Sequence, residues 1–213
     1  MLLMWLCLIG PSAVAGERSA ADYGSIQAAL DANPGEVIFV PAGDHPITEK
    51  IRIRGERSGL RGPGRLIQMN TNQPIIEIEN ADAAEIRDLT LTRPDGHRET
   101  ALEGILGIGC RDLVIDNVRV INNRTRTGAI ALRECAGARI SHCTVRDYMR
   151  VSVDDRTRGP HWGYAFNCTD GTGISVVQCS GTLIEGNRVT EENLRPTPEI
   201  RTKYKLGDWV KKN

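Results

Sequence analysis

The feature that most limits what this chain can fold into is a repeat. Pairs of apolar residues two positions apart recur along it: Ile76 and Ile78, Leu106 and Ile108, Ile130 and Leu132, Val151 and Val153, Ile174 and Val176, at steps of 30, 24, 21 and 23 residues. A second series follows each pair, with IRDLTL starting at Ile86, IDNVRV at Ile115, ISHCTV at Ile140 and IEGNRV at Ile184, at steps of 29, 25 and 44. The last step is twice 22, which places a missing member at Trp162, with Ala165 and Asn167 in the slots of Val118 and Val120. Two strand series advancing together at a fixed period mean a solenoid of parallel strands, because one coil cannot bury its inner face alone. Coils stacked at about 4.8 Å align like residues into ladders and satisfy each strand with the next.

Alternation along a strand then sets the facing. The paired apolar residues point inward. Glu77, Gly107, Ala131, Ser152 and Ser175 point outward, as do Glu79, Gly109, Arg133, Asp154 and Val177. On this reading Val151 to Ile174 is one coil of ordinary length. Asp155 ends its strand, in the slot of Cys110 and Glu134, and Trp162 faces the core. Asp147 and Asp170 each precede an apolar pair by four residues, so they lie on neighbouring coils one strand spacing apart.

Low aromatic content (4%), 22 Gly and short β-branched runs broken by Gly, Asn and Asp agree with an all-β chain of many short strands. One helix interrupts the pattern. SIQAALDANPG has Ser25 as its N-cap, Ile26, Ala29 and Leu30 as an apolar stripe, and Pro34-Gly35 as its stop. A solenoid needs its open end covered, and this helix is placed to do so. The divisions are 1–15 as a signal peptide, 16–45 as the cap helix and first strand, 46–190 as the coils and 191–213 as a polar tail.

MLLMWLCLIGPSAVA carries no charged side chain, and its apolar run from Leu2 to Ile9 is too short to span a bilayer. It ends in the small-x-small pattern of a signal peptidase site. Export, to the periplasm or outside the cell, is therefore expected, and no other stretch is apolar enough to cross a membrane. The formal net charge is zero, which argues against nonspecific nucleic-acid binding. Residues 111–160, however, hold ten Arg against six Asp or Glu, a face suited either to solvent or to an acidic ligand. Beyond Cys7 there are five cysteines without CxxC spacing, which reads as buried thiols, with one disulfide open in an oxidising compartment. Asn123-Arg-Thr and Asn167-Cys-Thr are glycosylation sequons for a eukaryotic host, and His45, His97 and His142 stand isolated.

ADYGSIQAALDANPGEVIFVPAGDHPI resembles the N-terminal signature of the pectate-lyase-like superfamily, with an Asp-rich start, an Ile-Gln-x-Ala helix and a Val-x-Val-Pro-x-Gly strand and turn. The resemblance implies an all-β, right-handed parallel β-helix with a short N-terminal capping α-helix. It also implies a secreted or periplasmic protein acting on polysaccharide, by elimination at uronates or by glycoside hydrolysis. Asn167-Cys168-Thr169-Asp170-Gly171 is similar to the Asn-Thr-Asp-Gly of polygalacturonases with one residue added, and Asp154-Asp155 to their paired Asp, here in the reverse order.

The stretch VSVDDRTRGPHWGYAFNCTDG, residues 151–171, gathers the candidate chemistry. Asp154, Asp155 and Asp170 are the candidate catalytic carboxylates, because hydrolysis needs one protonated and one ionised carboxyl. Arg133, Arg150 and Arg156 suit an acidic sugar, since guanidinium pairs bidentately with carboxylate. His161 and Trp162 would meet a sugar ring if this part of the coil bends outward. Asp147 and Asp170 are hard oxygen donors that admit calcium. The structural alternative is an ion pair between Arg133 and Asp154 on adjacent coils, with ordinary turn residues at Asp170-Gly171.

After Val189 the sequence turns polar, TEENLRPTPEIRTKYKLGDWVKKN, with no apolar helix to close the last coil. Trp209 is placed to pack on that coil. Three outcomes fit. The tail folds over as a cap, the chain associates end to end through its open edges, or the chain is a fragment whose further coils lie beyond Asn213. Two functions follow: a polysaccharide lyase or glycoside hydrolase acting on acidic, uronate-containing polysaccharide, and a non-catalytic carbohydrate-binding or surface scaffold on the same coils.

Overall fold

The computed structural model describes residues 18–94, 100–153 and 168–193. The expected signal peptide, the tail from residue 194, His97, Asn167 and the candidates Asp154, Asp155, Arg156, His161 and Trp162 lie outside the described residues.

A short 3-10 turn, Ala20–Asp22, precedes helix α1, Ile26–Ala32. Ser25 caps the helix by accepting the Ala28 N–H at 3.0 Å. Ile26, Ala29 and Leu30 are buried, as their spacing predicts, and the helix packs on the first coil. Gln27 completes the cover. Its Oε1 accepts the Arg52 N–H at 2.8 Å and its Nε2 donates to the Arg52 carbonyl at 3.2 Å, so one side-chain amide stands in for a neighbouring strand.

Each coil then contributes a strand to each of three parallel sheets. The first coil has β1 (Val37–Phe39), β2 (Gly43–Ile47) and β3 (Ile51–Glu56). The second has β4 (Gly59–Arg61), β5 (Gly64–Gln68) and β6 (Ile76–Asp82), and the third β7 (Glu85–Arg87), β8 (Thr90–Thr92) and β9 (Ile105–Ile108). The fourth has β10 (Val114–Asp116), β11 (Arg119–Ile121) and β12 (Gly128–Arg133). In the fifth, β13 (Arg139–Ser141) and β14 (Thr144–Arg146) are followed by an antiparallel pair, β15 (Arg150–Val153) and β16 (Cys168–Asp170), before β17 (Thr172–Val177) returns to the third sheet. β18 (Leu183–Glu185) and β19 (Arg188–Thr190) close the series. The chain is thus an all-β solenoid of parallel sheets with one helix, and no helix among the described residues is long and apolar enough to cross a membrane.

The ladders fill the interior. Ile38, Leu60, Ile86, Ile115, Ile140 and Ile184 stack in the first sheet. Leu66, Leu91, Val120, Val145 and Val189 stack in the second, and Ile51, Ile76, Ile105, Ile130 and Ile174 in the third. Each rung removes a branched aliphatic side chain from water, about 1.5–3 kcal/mol where burial is complete. The corners between sheets are left-handed backbone positions repeated coil after coil. Asp88, Asn117, His142 and Gly186 turn the first sheet into the second, with φ of 64, 53, 54 and 63°. Asn, Asp, His and Gly are the residues that enter this region at least cost. Cysteines stack as well: Cys110, Cys135 and Cys179 follow the left-handed residues Gly109, Glu134 and Gln178, and Cys110, Cys135, Cys143 and Cys179 are all free thiols. Burial pushes the thiols of Cys135 and Cys143 up to about 11.

The structure corrects the sequence reading in three places. There are three sheets rather than two strand series, because each six-residue string such as IRDLTL holds two short strands with a corner at Asp88. The described ladders leave no gap for the extra rung expected from the 44-residue step, since Ile140 pairs directly with Ile184 and Ile130 with Ile174. The 44-residue step is one coil with an insertion, and Val151 pairs antiparallel with Thr169 outside the third sheet. In the third coil the facing is shifted by one: Ile105 and Gly107 occupy the inward slots expected for Leu106 and Ile108, and Gly109 turns a corner. Gly107 fits there because a Cβ would stand 2.7 Å from Leu132 Cδ2.

Candidate functional site

The antiparallel pair leaves the solenoid where the second sheet turns into the third. β15 departs immediately after Tyr148 and Met149, and β16 returns through Gly171 to β17. Gly171 has a φ of 106°, and a Cβ on it would lie 2.9 Å from the Thr125 carbonyl oxygen and 3.0 Å from that of Tyr148. Only glycine allows so close a return against the coil wall.

That return fixes Asp170. Arg150 and Asp170 face each other across the two strands, and the Arg150 guanidinium donates from Nε at 3.3 Å and Nη2 at 3.2 Å to Asp170 Oδ2. Arg150 also reaches the Thr100 carbonyl at 3.4 Å. Arg126, from the corner between β11 and β12, places its Nε 4.0 Å from the same carboxylate oxygen with 68% of its side chain exposed. A second acid sits two coils back, in the third coil. Glu103 is buried, and its Oε1 accepts from Arg133 Nη2 and from Thr127 Oγ1, both at 2.8 Å. The two clusters are joined through Thr127, whose carbonyl accepts the Thr172 N–H at 2.7 Å. The result is three guanidiniums, Arg126, Arg133 and Arg150, around two carboxylates, with Arg126 and Arg133 opening to solvent.

Three of the sequence candidates, Arg133, Arg150 and Asp170, are therefore brought to one corner of the solenoid. Arg133 pairs with Glu103, and its expected partner Asp154 lies outside the described residues. Asp154 and Asp155 directly follow β15 in the sequence and lie outside the described residues. Glu103 and Arg126 were not found from sequence. Their signals are faint: an acid two residues before the Ile-x-Gly rung, and the Arg-Thr-Arg-Thr-Gly run leading into β12.

Asp147 and Asp170 are not on neighbouring coils. Both belong to the fifth, at opposite ends of the excursion, and each is engaged separately. Burial pushes the Asp147 carboxyl up, but the backbone N–H groups of Glu192 and Asn193, at 3.1 and 3.0 Å, and the Asn193 side chain hold it below the usual range. Buried Arg124 completes this group, donating to the Asn193 carbonyl at 2.7 Å and to Glu191 at 3.2 Å. Among the described residues no three His, Cys, Asp or Glu side chains gather as a metal site. The Asp147 pair expected for calcium is a backbone clamp instead.

A further polar set lies on the first sheet. Asp116 accepts from His142 Nδ1 at 2.9 Å, Ser141 Oγ at 2.7 Å and Arg87 at 3.0 Å. The His142 and Ser141 hydrogen bonds hold its carboxyl below the usual range. Serine and histidine both bond the acid here, which does not activate a nucleophile.

No family model matches the chain, and no curated protein does. Among solved structures it is similar to a protein of Parabacteroides merdae ATCC 43184 described as a "putative glycosyl hydrolase", with a TM-score of 0.48 and 12% identity over 84% of this chain and 99% of that one. Likeness at that identity does not carry the chemistry of one chain to another.

Proposed function

We propose that the protein is an exported, polysaccharide-active solenoid that takes uronate-containing chains at the corner formed by Arg126, Arg133 and Arg150. On this reading the coils are those of the right-handed parallel β-helix that the resemblance to pectate-lyase-like proteins implies. The observation that carries the proposal is the charge balance of the corner. Among the described residues three guanidiniums face two carboxylates, and the most exposed, Arg126, stands 4.0 Å from an acid already bonded to Arg150. An incoming carboxylate supplies the missing negative charge, with bidentate geometry open to it. Arg126 and Arg133 belong to the fourth coil and Arg150 to the fifth, so sugars presenting one carboxylate per ring would meet cations on two adjacent coils.

The reaction is elimination or hydrolysis, with Asp154 and Asp155 on the adjoining excursion as the acid–base groups. Asp170 orients Arg150 and Arg126 rather than serving as the acid–base group, because its Oδ2 is already taken by Arg150 Nε and Nη2. That same point favours a second reading, carbohydrate binding without turnover, since both acids of the described corner are held in ion pairs. Incubation with polygalacturonate separates the two. Elimination yields an unsaturated uronate end that absorbs in the ultraviolet, hydrolysis yields new reducing ends without that absorption, and binding alone yields neither. The enzymatic reading expects Asp154→Asn or Asp155→Asn to abolish product while leaving retention on the polymer intact. Full activity in both variants would remove those residues from the mechanism.

A further inference from the structure

Among the described residues, the outer face of the second sheet carries positive charge without matching acids. Its outward slots flank the ladder of Leu66, Leu91, Val120, Val145 and Val189. They hold four arginines, Arg65, Arg119, Arg146 and Arg188, against one acid, Asp44, which pairs with Arg65 at 3.1 Å. On the first sheet, by contrast, Arg61, Arg87 and Arg139 are matched by Glu85, Asp116 and Glu185.

Three of the second-sheet cations lack a hydrogen-bonded acid. Arg119 and Arg188 are exposed, and among the described residues neither forms an ion pair or a side-chain hydrogen bond. Arg146 is 3.7 Å from Asp147 and 3.9 Å from Glu192, too far to hydrogen-bond, and its Nε is buried with no hydrogen-bond partner among the described residues. Asp147 is already committed to the Glu192 and Asn193 N–H groups.

The strand register brings these three together. Arg119, Thr144 and Arg188 stand side by side on β11, β14 and β19, and Arg146 lies two residues beyond Thr144. At about 4.8 Å between strands and about 3.3 Å per residue, Arg119 and Arg188 are each about 8 Å from Arg146 along the sheet. Cations within about one Debye length of one another repel, a cost that a bound anion relieves. Arg146 ends β14 four residues before Arg150, and Arg126 follows the end of β11 by five residues. Both strands therefore run from this patch into the corner of Arg126 and Arg150.

We propose that a uronate chain held at that corner continues across the outer face of the second sheet, where Arg146, Arg119 and Arg188 take its next carboxylates and Thr144 offers a hydroxyl between the last two. The inference rests on the reading of the corner as a uronate site and adds the direction in which the chain leaves it. Exposed ion pairs contribute little each against solvent and salt. The face is thus too weak to hold a polymer unaided, and it acts on a chain already anchored at the corner.

Titration calorimetry of the full chain with a galacturonate trimer and a dodecamer at low salt tests this. Three rings suffice for the three corner arginines, whereas twelve reach onto the sheet. The double variant Arg119→Gln, Arg188→Gln is expected to weaken dodecamer binding about two- to thirtyfold and to leave the trimer unchanged. Arg111→Gln with Arg139→Gln removes the same charge away from this face and should change neither. Unchanged dodecamer affinity in the Arg119, Arg188 variant overturns the proposal, while trimer binding by the unaltered chain keeps the corner reading. Equal losses on trimer and dodecamer, or equal losses in the two double variants, also overturn it, since net charge alone would then account for the effect. If the unaltered chain binds neither oligomer, the corner reading falls and this extension with it.

Discussion

Changing Asp170 to Asn keeps the shape of the side chain and removes one negative charge from the Arg corner. If Arg126 receives a ligand carboxylate, that group lies on the far side of the guanidinium from Asp170. The 4.0 Å from Arg126 to Asp170 and a charge-assisted hydrogen bond of about 3 Å set the two carboxylates about 7 Å apart. With Asp170 only partly exposed, an effective dielectric near 40 gives a repulsion of about 1.2 kcal/mol before screening. Screening leaves about 0.9 kcal/mol at 0.01 M salt and about 0.5 kcal/mol at 0.15 M. Asp170→Asn is therefore expected to tighten binding of an oligogalacturonate about fivefold at low salt and about twofold at physiological salt. Titration calorimetry at the two salt concentrations reads both values. Weaker binding in the variant would refute the repulsion worked out here, and loss of all turnover with unchanged affinity would refute the assignment of Asp170 as an orienting acid and return it to the catalytic role.

Other consequences concern the scaffold. Ile140→Ala should cost about 2–5 kcal/mol in denaturant unfolding, and Ile184→Ala on the same ladder clearly less, because Ile184 is 45% exposed; equal costs would contradict the direct pairing of the two. Gly171→Ala is expected to lose about 1–3 kcal/mol and to weaken polygalacturonate binding, since its Cβ would press on the Thr125 carbonyl and move Asp170. Asp116, with its folded carboxyl held low by His142, Ser141 and Arg87, adds stability that is present above the unfolded value of about 3.9 and lost as pH falls through the lower folded one. Thermal melts between pH 6 and pH 2 should show a smaller acid loss for Asp116→Asn than for the unaltered protein, and parallel curves would deny the shift.

The solenoid was legible because ladders write themselves into sequence: Ile86, Ile115, Ile140 and Ile184 share one stack and recur at visible spacing. The split of each six-residue string into strands of two different sheets was missed, although its signal was present. Ile86 and Leu91, like Ile115 and Val120, are five apart, an odd step that one flat strand cannot turn to the same face. The corner at Asp88 and Asn117 resolves that conflict. The excursion was hidden because Val151-Ser-Val153 has the local pattern of a rung and 44 happens to be twice 22. Antiparallel pairing with Cys168–Asp170 is a nonlocal fact that alternation does not encode. Leu-Gly-Ile-Gly offered two alternations, and the packing of Leu132 against Gly107 chose between them. The Arg corner was half legible. Arg133, Arg150 and Asp170 stood out as charges, whereas Glu103 and Arg126 join them only through the stacking of coils.

The central claim is that the corner of Arg126, Arg133 and Arg150 recognises polymeric carboxylate. Affinity electrophoresis through gels containing polygalacturonate, or its fully methyl-esterified form, tests it most directly. The account predicts retardation by the acid polymer alone, weakening steeply with salt and lost when all three arginines are changed to Gln while the variant keeps its thermal transition. Equal retardation by both polymers, or none by the acid polymer at low salt, would contradict it.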